Sequence, residues 1–418
     1  MNVGRVTGKL KEQIQVFSGK VSEGLPKIAR RFVEEMLYGI GSEQSLHLSK
    51  IARSLCENIP LIKTINRLSF ELSREGLWER ITSGLLRLAK GAIASDTLLI
   101  LDLSDIAKPY ARRMEHLGRV RDGSRDELAD GYWTCQVIAA EVGRAEIIPL
   151  YNRLYSFSAP DCIGENEEIF KAIDMVSRAV DNKGIWVMDR GADRKIIFDH
   201  LLSSQRRFII RLKGDRFVLY QGQKMIASNL AQKCFLPYSE TLVWEEREKE
   251  TTYSISFGFC RVYLPNTPLP LCLVVVRGFG EEAMMLLTNL PLRKNRQFLL
   301  RIVKSYITRW GIEETIRFMK QSYKIEDIRV QTYIRLQNMM ALVLATAYFA
   351  AVYIGGKLKL VVLSSIIIKA SKRIFGVAAF RCYAIADGIK ELLSRNKTGP
   401  LRLIPRWTPK TQLKLFSP

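Results

Sequence analysis

The chain of 418 residues is long enough for two or three domains with a large core, and its 47% apolar content is typical of a globular protein. Its 64 lysines and arginines against 42 acidic residues give a formal net charge of +22. This excess favours a polyanionic partner, most commonly nucleic acid, with an anionic membrane surface as the alternative. Seven scattered cysteines without a CxxC pair and only three histidines argue against a disulfide framework, a zinc centre and a Ser-His-Asp hydrolase.

Residues 1–94 are predicted to form a helical N-terminal domain. Apolar residues recur there with the helical period, and lysines and arginines lie on the polar faces. Two interpretations are open, a small DNA-binding domain and a structural helical cap, because no clear helix-turn-helix pattern is present. The N-terminal stretch lacks the apolar core of a signal peptide, so we expect a cytoplasmic, nucleoid-associated location.

Residues 95–214 are predicted to form the first part of an α/β catalytic core. The apolar run from Thr97 ends at Asp102, which indicates a buried strand with a carboxylate at its end. After a basic segment, the pattern predicts two strands joined by a turn, a helix, a strand that ends at Asp189, a second helix and a fifth strand. The basic segment contains Lys108, Arg112, Arg113, Arg119, Arg121 and Arg125.

The two strand-end aspartates are candidates for one shared site. Parallel neighbouring strands would bring Asp102 and Asp189 to the same edge of the sheet, where α/β proteins build their sites. The ordinary alternative is that each aspartate caps a turn or a helix. Asp105 and Asp193 lie nearby in sequence, but neither directly ends its apolar run, so we expect them to have supporting or capping roles.

Three further regions complete the chain. Residues 215–295 alternate in polarity and contain several turn residues, which predicts a β-rich insertion. Residues 296–370 are predicted to complete the core. Within them, the uncharged segment 336–356 is long enough to cross a membrane, although a fully buried helix has the same composition and is the favoured interpretation. Residues 371–418 form a basic C-terminal segment whose end is predicted to be extended and to add nonspecific DNA contacts.

The segment from Lys304 to Lys324 is predicted to be an amphipathic helix with an unusual polar stripe. At the helical period, a tyrosine, an arginine, a glutamate and a lysine fall within an arc of about 60°. Such a stripe indicates one metal ligand among phosphate-binding groups. An ordinary solvated face, with Glu313 paired to Arg309 and Arg317, is the alternative. The stripe consists of Tyr306, Arg309, Glu313 and Lys320.

Asp102, Asp189 and Glu313 together are the ligands that a two-metal phosphoryl-transfer site requires. Mg²⁺ prefers hard oxygen ligands, and two such ions can activate the attacking oxygen and stabilise the leaving one. We therefore predict two Mg²⁺ ions, with Mn²⁺ as a substitute and Asp102 as the bridging ligand. The scarcity of histidine is consistent with this chemistry, because no side-chain base is needed.

These residues carry a resemblance to the DDE transposases of the insertion-sequence-4 family. Tyr306, Arg309, Glu313 and Lys320 reproduce the family's Tyr-x2-Arg-x3-Glu-x6-Lys motif without a gap. The sequences around Asp102 and Asp189 resemble its two aspartate motifs, and the resemblance covers about residues 95–350. It implies an α/β fold with a ribonuclease-H-like mixed sheet flanked by helices, a β-rich insertion and a helical N-terminal domain.

The resemblance also implies cut-and-paste transposition. Asp102, Asp189 and Glu313 would be catalytic, and Tyr306, Arg309 and Lys320 would hold DNA phosphates. The partners would be double-stranded DNA, as terminal inverted repeats and target, and a second copy of the chain in the DNA-bound homodimer, with no membrane. Relatives form a hairpin intermediate and stack a flipped base on an insertion-domain tryptophan, for which Trp244 is the candidate. A nuclease without strand transfer and a non-catalytic DNA-binding regulator are the alternatives.

Overall fold

The computed structural model describes residues 3–123, 126–144, 146–246, 249–265, 267–291, 295–354, 361–370, 381–395 and 398–401. Its N-terminal part is helical, as predicted, because each segment carries one apolar stripe that can be buried against its neighbours. The buried residues of these helices belong to the same continuous core as residues of the central sheet. The helices are α1 Val3–Val21, α2 Lys27–Glu43, α3 Leu48–Ser54, α4 Leu61–Leu72 and α5 Leu77–Ala89.

Five strands form a mixed sheet in the order β4-β3-β1-β5-β6. β3 runs antiparallel to both β1 and β4, whereas β1, β5 and β6 are parallel, and β2 adds to the first half of β3. This strand order and these directions are the ones expected for a ribonuclease-H-like mixed sheet, and the predicted α/β fold is confirmed. The elements are β1 Leu98–Ala107, β2 Gly118–Asp122, β3 Glu127–Ala140, β4 Ile147–Tyr155, α6 Glu165–Ala179, β5 Ile185–Met188, α7 Lys195–Ser203 and β6 Phe208–Arg211.

The first core strand is longer than the apolar run predicts. β1 continues through Asp102 to Ala107, because the long antiparallel partner β3 pairs with it along its whole length. The parallel partner β5 pairs only with the segment from Leu98 to Ile100. Asp102 is therefore not the end of the strand, but it does lie beyond the end of the parallel pairing.

The predicted β-rich insertion is present, and its strands extend the core sheet. β12 pairs antiparallel with β6, and β11, β10 and β9 follow outward, which gives a single ten-stranded sheet. β7 and β8 form a separate hairpin. The elements are β7 Phe217–Tyr220, β8 Gln223–Ile226, α8 Ala227–Lys233, β9 Tyr238–Glu246, β10 Lys249–Val262, β11 Leu271–Arg277 and β12 Met284–Thr288.

Helices cover both faces of the sheet. α9 packs on the face that carries Ile100 and Val187, and α6 and α7 pack on the opposite face together with the N-terminal helices. The predicted C-terminal tail beyond Leu401 lies outside the described residues. The remaining elements are α9 Arg296–Thr308, α10 Gly311–Tyr323, α11 Tyr333–Tyr348, a π-helical turn Phe349–Ile354, α12 Val361–Ala370 and α13 Arg381–Arg395.

The uncharged segment forms a helix within the core. In the described part of the chain, Tyr333–Ile354 is the one helix long and apolar enough to cross a membrane, and 83% of its most apolar window is buried inside the protein. The segment contains a buried polar residue, Asn338, whose hydrogen bonds explain its presence there. The Asn338 Oδ1 accepts from the Trp78 N–H at the start of α5 (2.9 Å), and its Nδ2 donates to the Leu72 carbonyl at the end of α4 (2.9 Å). One side chain thus caps two helices.

Replacing Asn338 with alanine is expected to lower the free energy of unfolding by about 3 kcal/mol, because buried groups at two helix ends lose their partners. Urea unfolding followed by circular dichroism measures this change. The neighbouring Gln337→Ala, which removes one longer hydrogen bond to the Leu154 carbonyl (3.3 Å), is the matched control and should cost less. Equal effects of the two substitutions would contradict the capping role.

Candidate active site

The strand register brings the two predicted aspartates to the same level of the sheet. Ile100 and Val187 are the last register pair between the parallel strands β1 and β5. Asp102 and Asp189 each lie two residues beyond that pair, on neighbouring strands that are about 4.8 Å apart in a sheet. Because side chains alternate along a strand, both aspartates continue the rows of Ile100 and Val187, on the face that packs against α9.

Asp189 also caps the turn that follows β5. Its Oδ1 accepts from the Gly191 N–H at 2.8 Å, at the start of the 3₁₀ turn Arg190–Ala192. A Cβ at position 191 would lie 2.9 Å from this oxygen, so a larger residue there would force the carboxylate to shift. The cap uses one carboxylate oxygen and fixes the side chain at the sheet edge. Asp189 can therefore cap this turn and still contribute its other carboxylate oxygen to the candidate site.

The helix that carries the third acid is interrupted, in contrast to the continuous helix predicted for Lys304 to Lys324. α9 ends at Thr308 and α10 begins at Gly311, and the Arg309 N–H bonds to the Tyr306 carbonyl three residues back (3.1 Å). This tight turn places Tyr306 at the end of one helix and Glu313 in the first turn of the next. Apolar residues of α10, such as Ile312, remain buried as predicted.

Arg309 connects two of the predicted metal ligands. Its Nη2 lies 3.2 Å from Glu313 Oε1, and its Nη1 lies 3.9 Å from Asp102 Oδ2. The pairing of Arg309 with Glu313 is the one that the solvated-face alternative predicts. The solvated-face alternative does not predict the contact with Asp102. Arg309 is also buried, with 8% exposure, so this face of the helix is not simply solvated.

The electrostatics of the site show an excess of negative charge. The pKa of Asp102 is raised to about 7, mainly by burial; Arg309 opposes the rise, and the neighbouring charges of Asp189 and Glu313 contribute to it. Asp102 therefore lies within electrostatic reach of both of the other acids. One guanidinium cannot neutralise three ionised carboxylates, and a like-charge group of this kind is stable only when protonated or when a cation is added.

The donor set fits a divalent cation, although the ligands are not assembled into a ready cluster. Asp102, Asp189 and Glu313 supply the hard oxygen atoms that Mg²⁺ prefers. Across the described residues, no three histidine, cysteine, aspartate or glutamate side chains converge closely enough to form a metal cluster. Glu313 would have to exchange its ion pair with Arg309 for the cation. The three carboxylates are suitable ligands for the predicted metal ions. In this structure Glu313 is paired with Arg309.

Tyr306 lies beneath Arg309 rather than on the surface. Its side chain is 1% exposed, within the core on the α9 face, and the Arg309 guanidinium carbon lies 5.7 Å from its ring centroid. A cation over an aromatic ring is held by the ring's quadrupole. In this structure Tyr306 supports Arg309, and its predicted contact with DNA stays a prediction.

Removing the Tyr306 ring is expected to destabilise the fold. We expect Tyr306→Ala to lower the free energy of unfolding by about 3 to 5 kcal/mol, as for other buried aromatic residues. Tyr306→Phe keeps the ring beneath Arg309 and should retain most of the stability. Urea unfolding of both variants tests this supporting role. If Tyr306→Phe keeps full stability but weakens DNA binding, the hydroxyl contacts DNA directly.

Lys320 lies in the last turn of α10, two turns beyond Glu313. Its Nζ is 3.1 Å from Glu326 Oε1 and 3.7 Å from Asp105 Oδ2, so it forms ion pairs with both acids, of which the contact with Glu326 is the closer. The sequence pattern did not predict the pair of Lys320 with Asp105, because the two residues are far apart in the chain. Arg317, which the solvated-face alternative pairs with Glu313, pairs instead with Glu314 at 2.6 Å.

Roles are also predicted for two other residues, Asp193 and Trp244. Asp193 is buried and accepts from the Lys213 N–H and from Arg216 Nε, both at 2.6 Å, so it ties the β5 and β6 connections together. This agrees with the supporting role expected for it. The predicted base-stacking role of Trp244 depends on a side chain that lies outside the described part of the chain, although the residue itself belongs to β9.

Residues 165–350 match the family model described as "Transposase DDE domain". Among solved structures, the chain is similar to the piggyBac transposase synaptic complex with hairpin DNA, determined by cryo-EM, with a TM-score of 0.44 and 11% sequence identity over 96% of this chain and 81% of that chain. No curated protein matches the chain. The matched region begins after Asp102 and contains the other five predicted site residues.

Proposed function

We propose that this protein is a DNA transposase of the insertion-sequence-4 family, which cuts the ends of a mobile element and joins them to target DNA. The observation that carries the proposal is the placement of Asp102 and Asp189 at the same level beyond the parallel pairing of β1 and β5, with Arg309 from the α9–α10 turn between Asp102 and Glu313. The match of residues 165–350 to the transposase DDE domain model supports the same conclusion independently, since the matched region contains Asp189 and Glu313.

The proposed chemistry is phosphoryl transfer on DNA. Two Mg²⁺ ions, replaceable by Mn²⁺ and held by Asp102, Asp189 and Glu313, would activate the attacking oxygen and stabilise the leaving one. To serve as a ligand, Asp102 must give up the proton that its raised pKa favours. Arg309, once released from Glu313, would neutralise the phosphate at the cleaved end, and Lys320 would hold a neighbouring phosphate.

The proposed partners follow from two-ended transposition. The substrates are double-stranded DNA, as the element's terminal inverted repeats and as the target. Because two ends must be held together, we propose a homodimer on DNA, in the cytoplasm with the nucleoid. We also propose a hairpin at the excised end, formed when the freed 3′-hydroxyl attacks the opposite strand.

The test uses DNA that flanks the gene and contains its inverted repeats. With Mg²⁺ or Mn²⁺, the purified protein should cleave at the element end and join the 3′-hydroxyl to a target plasmid. Labelled ends resolved on a denaturing gel show cleavage, a hairpin and joining separately. Cleavage without joining would indicate a nuclease, and binding without cleavage would indicate a DNA-binding regulator.

A further inference from the structure

The basic segment after β1 contains arginines that the active site does not use. Arg119 is paired with Asp130 at 2.9 Å and Arg121 with Asp126 at 2.7 Å, so their charges are locally balanced. Arg112 and Arg113, in contrast, are exposed, and neither forms an ion pair within the described part of the chain. The position of Arg125 lies outside that part.

Lys108 fixes this segment to the loop that follows the Glu313 helix. It is only 6% exposed, and its Nζ donates to the carbonyls of Glu326 and Ile328, the latter at 2.8 Å. The Glu115 N–H also donates to the Gln331 carbonyl at 2.9 Å. Two loops that leave the catalytic elements β1 and α10 are thereby held side by side.

The two loops enclose a cleft of about 460 Å³ that is rich in positive charge. Arg329 brings a third exposed arginine to it, again without an ion pair among the described residues. Two acids also line the cleft, Glu326, which is held by Lys320 at 3.1 Å, and the exposed Asp327. Four basic groups against these two acids leave the cleft net positive.

An exposed aromatic residue stands at the same cleft. Tyr110 is 87% exposed, although an aromatic ring of this size gains free energy when it is covered. Basic groups beside exposed aromatic rings are typical of surfaces that bind nucleic acid, because the cations contact phosphates and the ring packs on sugars or bases.

We infer that the loops 108–114 and 326–331 form a second DNA-binding surface, which we call the arginine cleft. It takes the sugar-phosphate backbone of the duplex beside the cleaved phosphate, with Arg112, Arg113 and Arg329 on phosphates and Tyr110 on a sugar or base. The ion pairs from Lys320 to Asp105 and to Glu326 connect the cleft with the catalytic helix. The inference rests on the proposed function, since it assigns further contacts to the same substrate.

The test measures how DNA affinity depends on salt. The probe is a fluorescent duplex of about 30 base pairs with arbitrary sequence, because phosphate contacts do not depend on sequence. For Arg112→Ala/Arg113→Ala, the slope of log affinity against log salt should become shallower by about two, since each lost phosphate contact removes about 0.9. At about 0.1 M salt, binding should be roughly tenfold or more weaker. Tyr110→Ala should weaken binding about tenfold with an unchanged slope.

The matched control is Arg178→Ala/Lys183→Ala, which removes two exposed charges at the opposite, N-terminal edge of β5 and should keep the wild-type slope. A wild-type slope in the Arg112/Arg113 variant, or the same loss in the control, would overturn the inference. The inference would also be overturned if the Arg112/Arg113 variant lost binding to phosphatidylserine vesicles but bound DNA normally. Wild-type protein that neither binds nor cleaves DNA would refute the proposed function, and the arginine cleft with it.

Discussion

Asp102→Asn, Asp189→Asn and Glu313→Gln are each expected to abolish DNA cleavage and strand joining while DNA binding stays measurable. Each substitution keeps the shape of the side chain but removes the charge that holds a divalent cation. Loss of metal-assisted charge stabilisation is worth several kcal/mol, so activity should fall roughly a thousandfold or more. Single-turnover cleavage of end DNA measures the loss, and a filter-binding assay confirms that the DNA is still bound.

The neighbouring glutamate supplies the matched control. Glu314 lies beside Glu313 in the first turn of α10, but it pairs with Arg317 at 2.6 Å instead of facing Asp102. Glu314→Gln should therefore keep cleavage within about threefold of wild type, as is usual for a surface ion pair. Full cleavage by Glu313→Gln, or equal losses in the two variants, would show that Glu313 is not the third metal ligand.

Asp102→Asn is expected to stabilise the metal-free protein at neutral and alkaline pH. Burial raises the pKa of Asp102 in the folded state from 3.8 to about 7, so the folded protein holds this proton more tightly than the unfolded chain does. The stabilising contribution of the protonated group is fully present below pH 4 and is lost as the pH rises toward 7. Asparagine carries no charge, so the variant should gain on the order of a few kcal/mol relative to wild type above pH 7.

Melting temperatures measured from pH 4 to pH 8 in the presence of a chelator test this prediction. The difference between Asp102→Asn and wild type should grow with pH and level off above about pH 7. Added Mg²⁺ should stabilise wild type more than the variant, because a ligand that binds only the folded state adds to its stability. Asp215→Asn, which removes an exposed carboxylate after β6, should follow the wild-type profile. A pH-independent difference would contradict the buried, coupled state of Asp102.

The sequence by itself determined much of the core and its chemistry. Continuous apolar runs require burial on both faces, so the strands before Asp102 and Asp189 could be recognised from composition alone. The helical period then placed Glu313 and Arg309 on one side of their segment, where they do interact. The helical N-terminal region, the β-rich insertion and the buried helix that ends at Ile354 were likewise predictable, because each depends on a local pattern.

The tertiary structure decided the features that depend on distant partners. β1 extends past Asp102 because β3 is long enough to pair with it, and the insertion joins the core sheet because β12 pairs with β6. The helix is interrupted at Arg309, which places that guanidinium between Glu313 and Asp102, residues more than 200 positions apart. Local periodicity carries no information about such pairings, since hydrogen bonds and ion pairs between remote segments form only once the chain is packed.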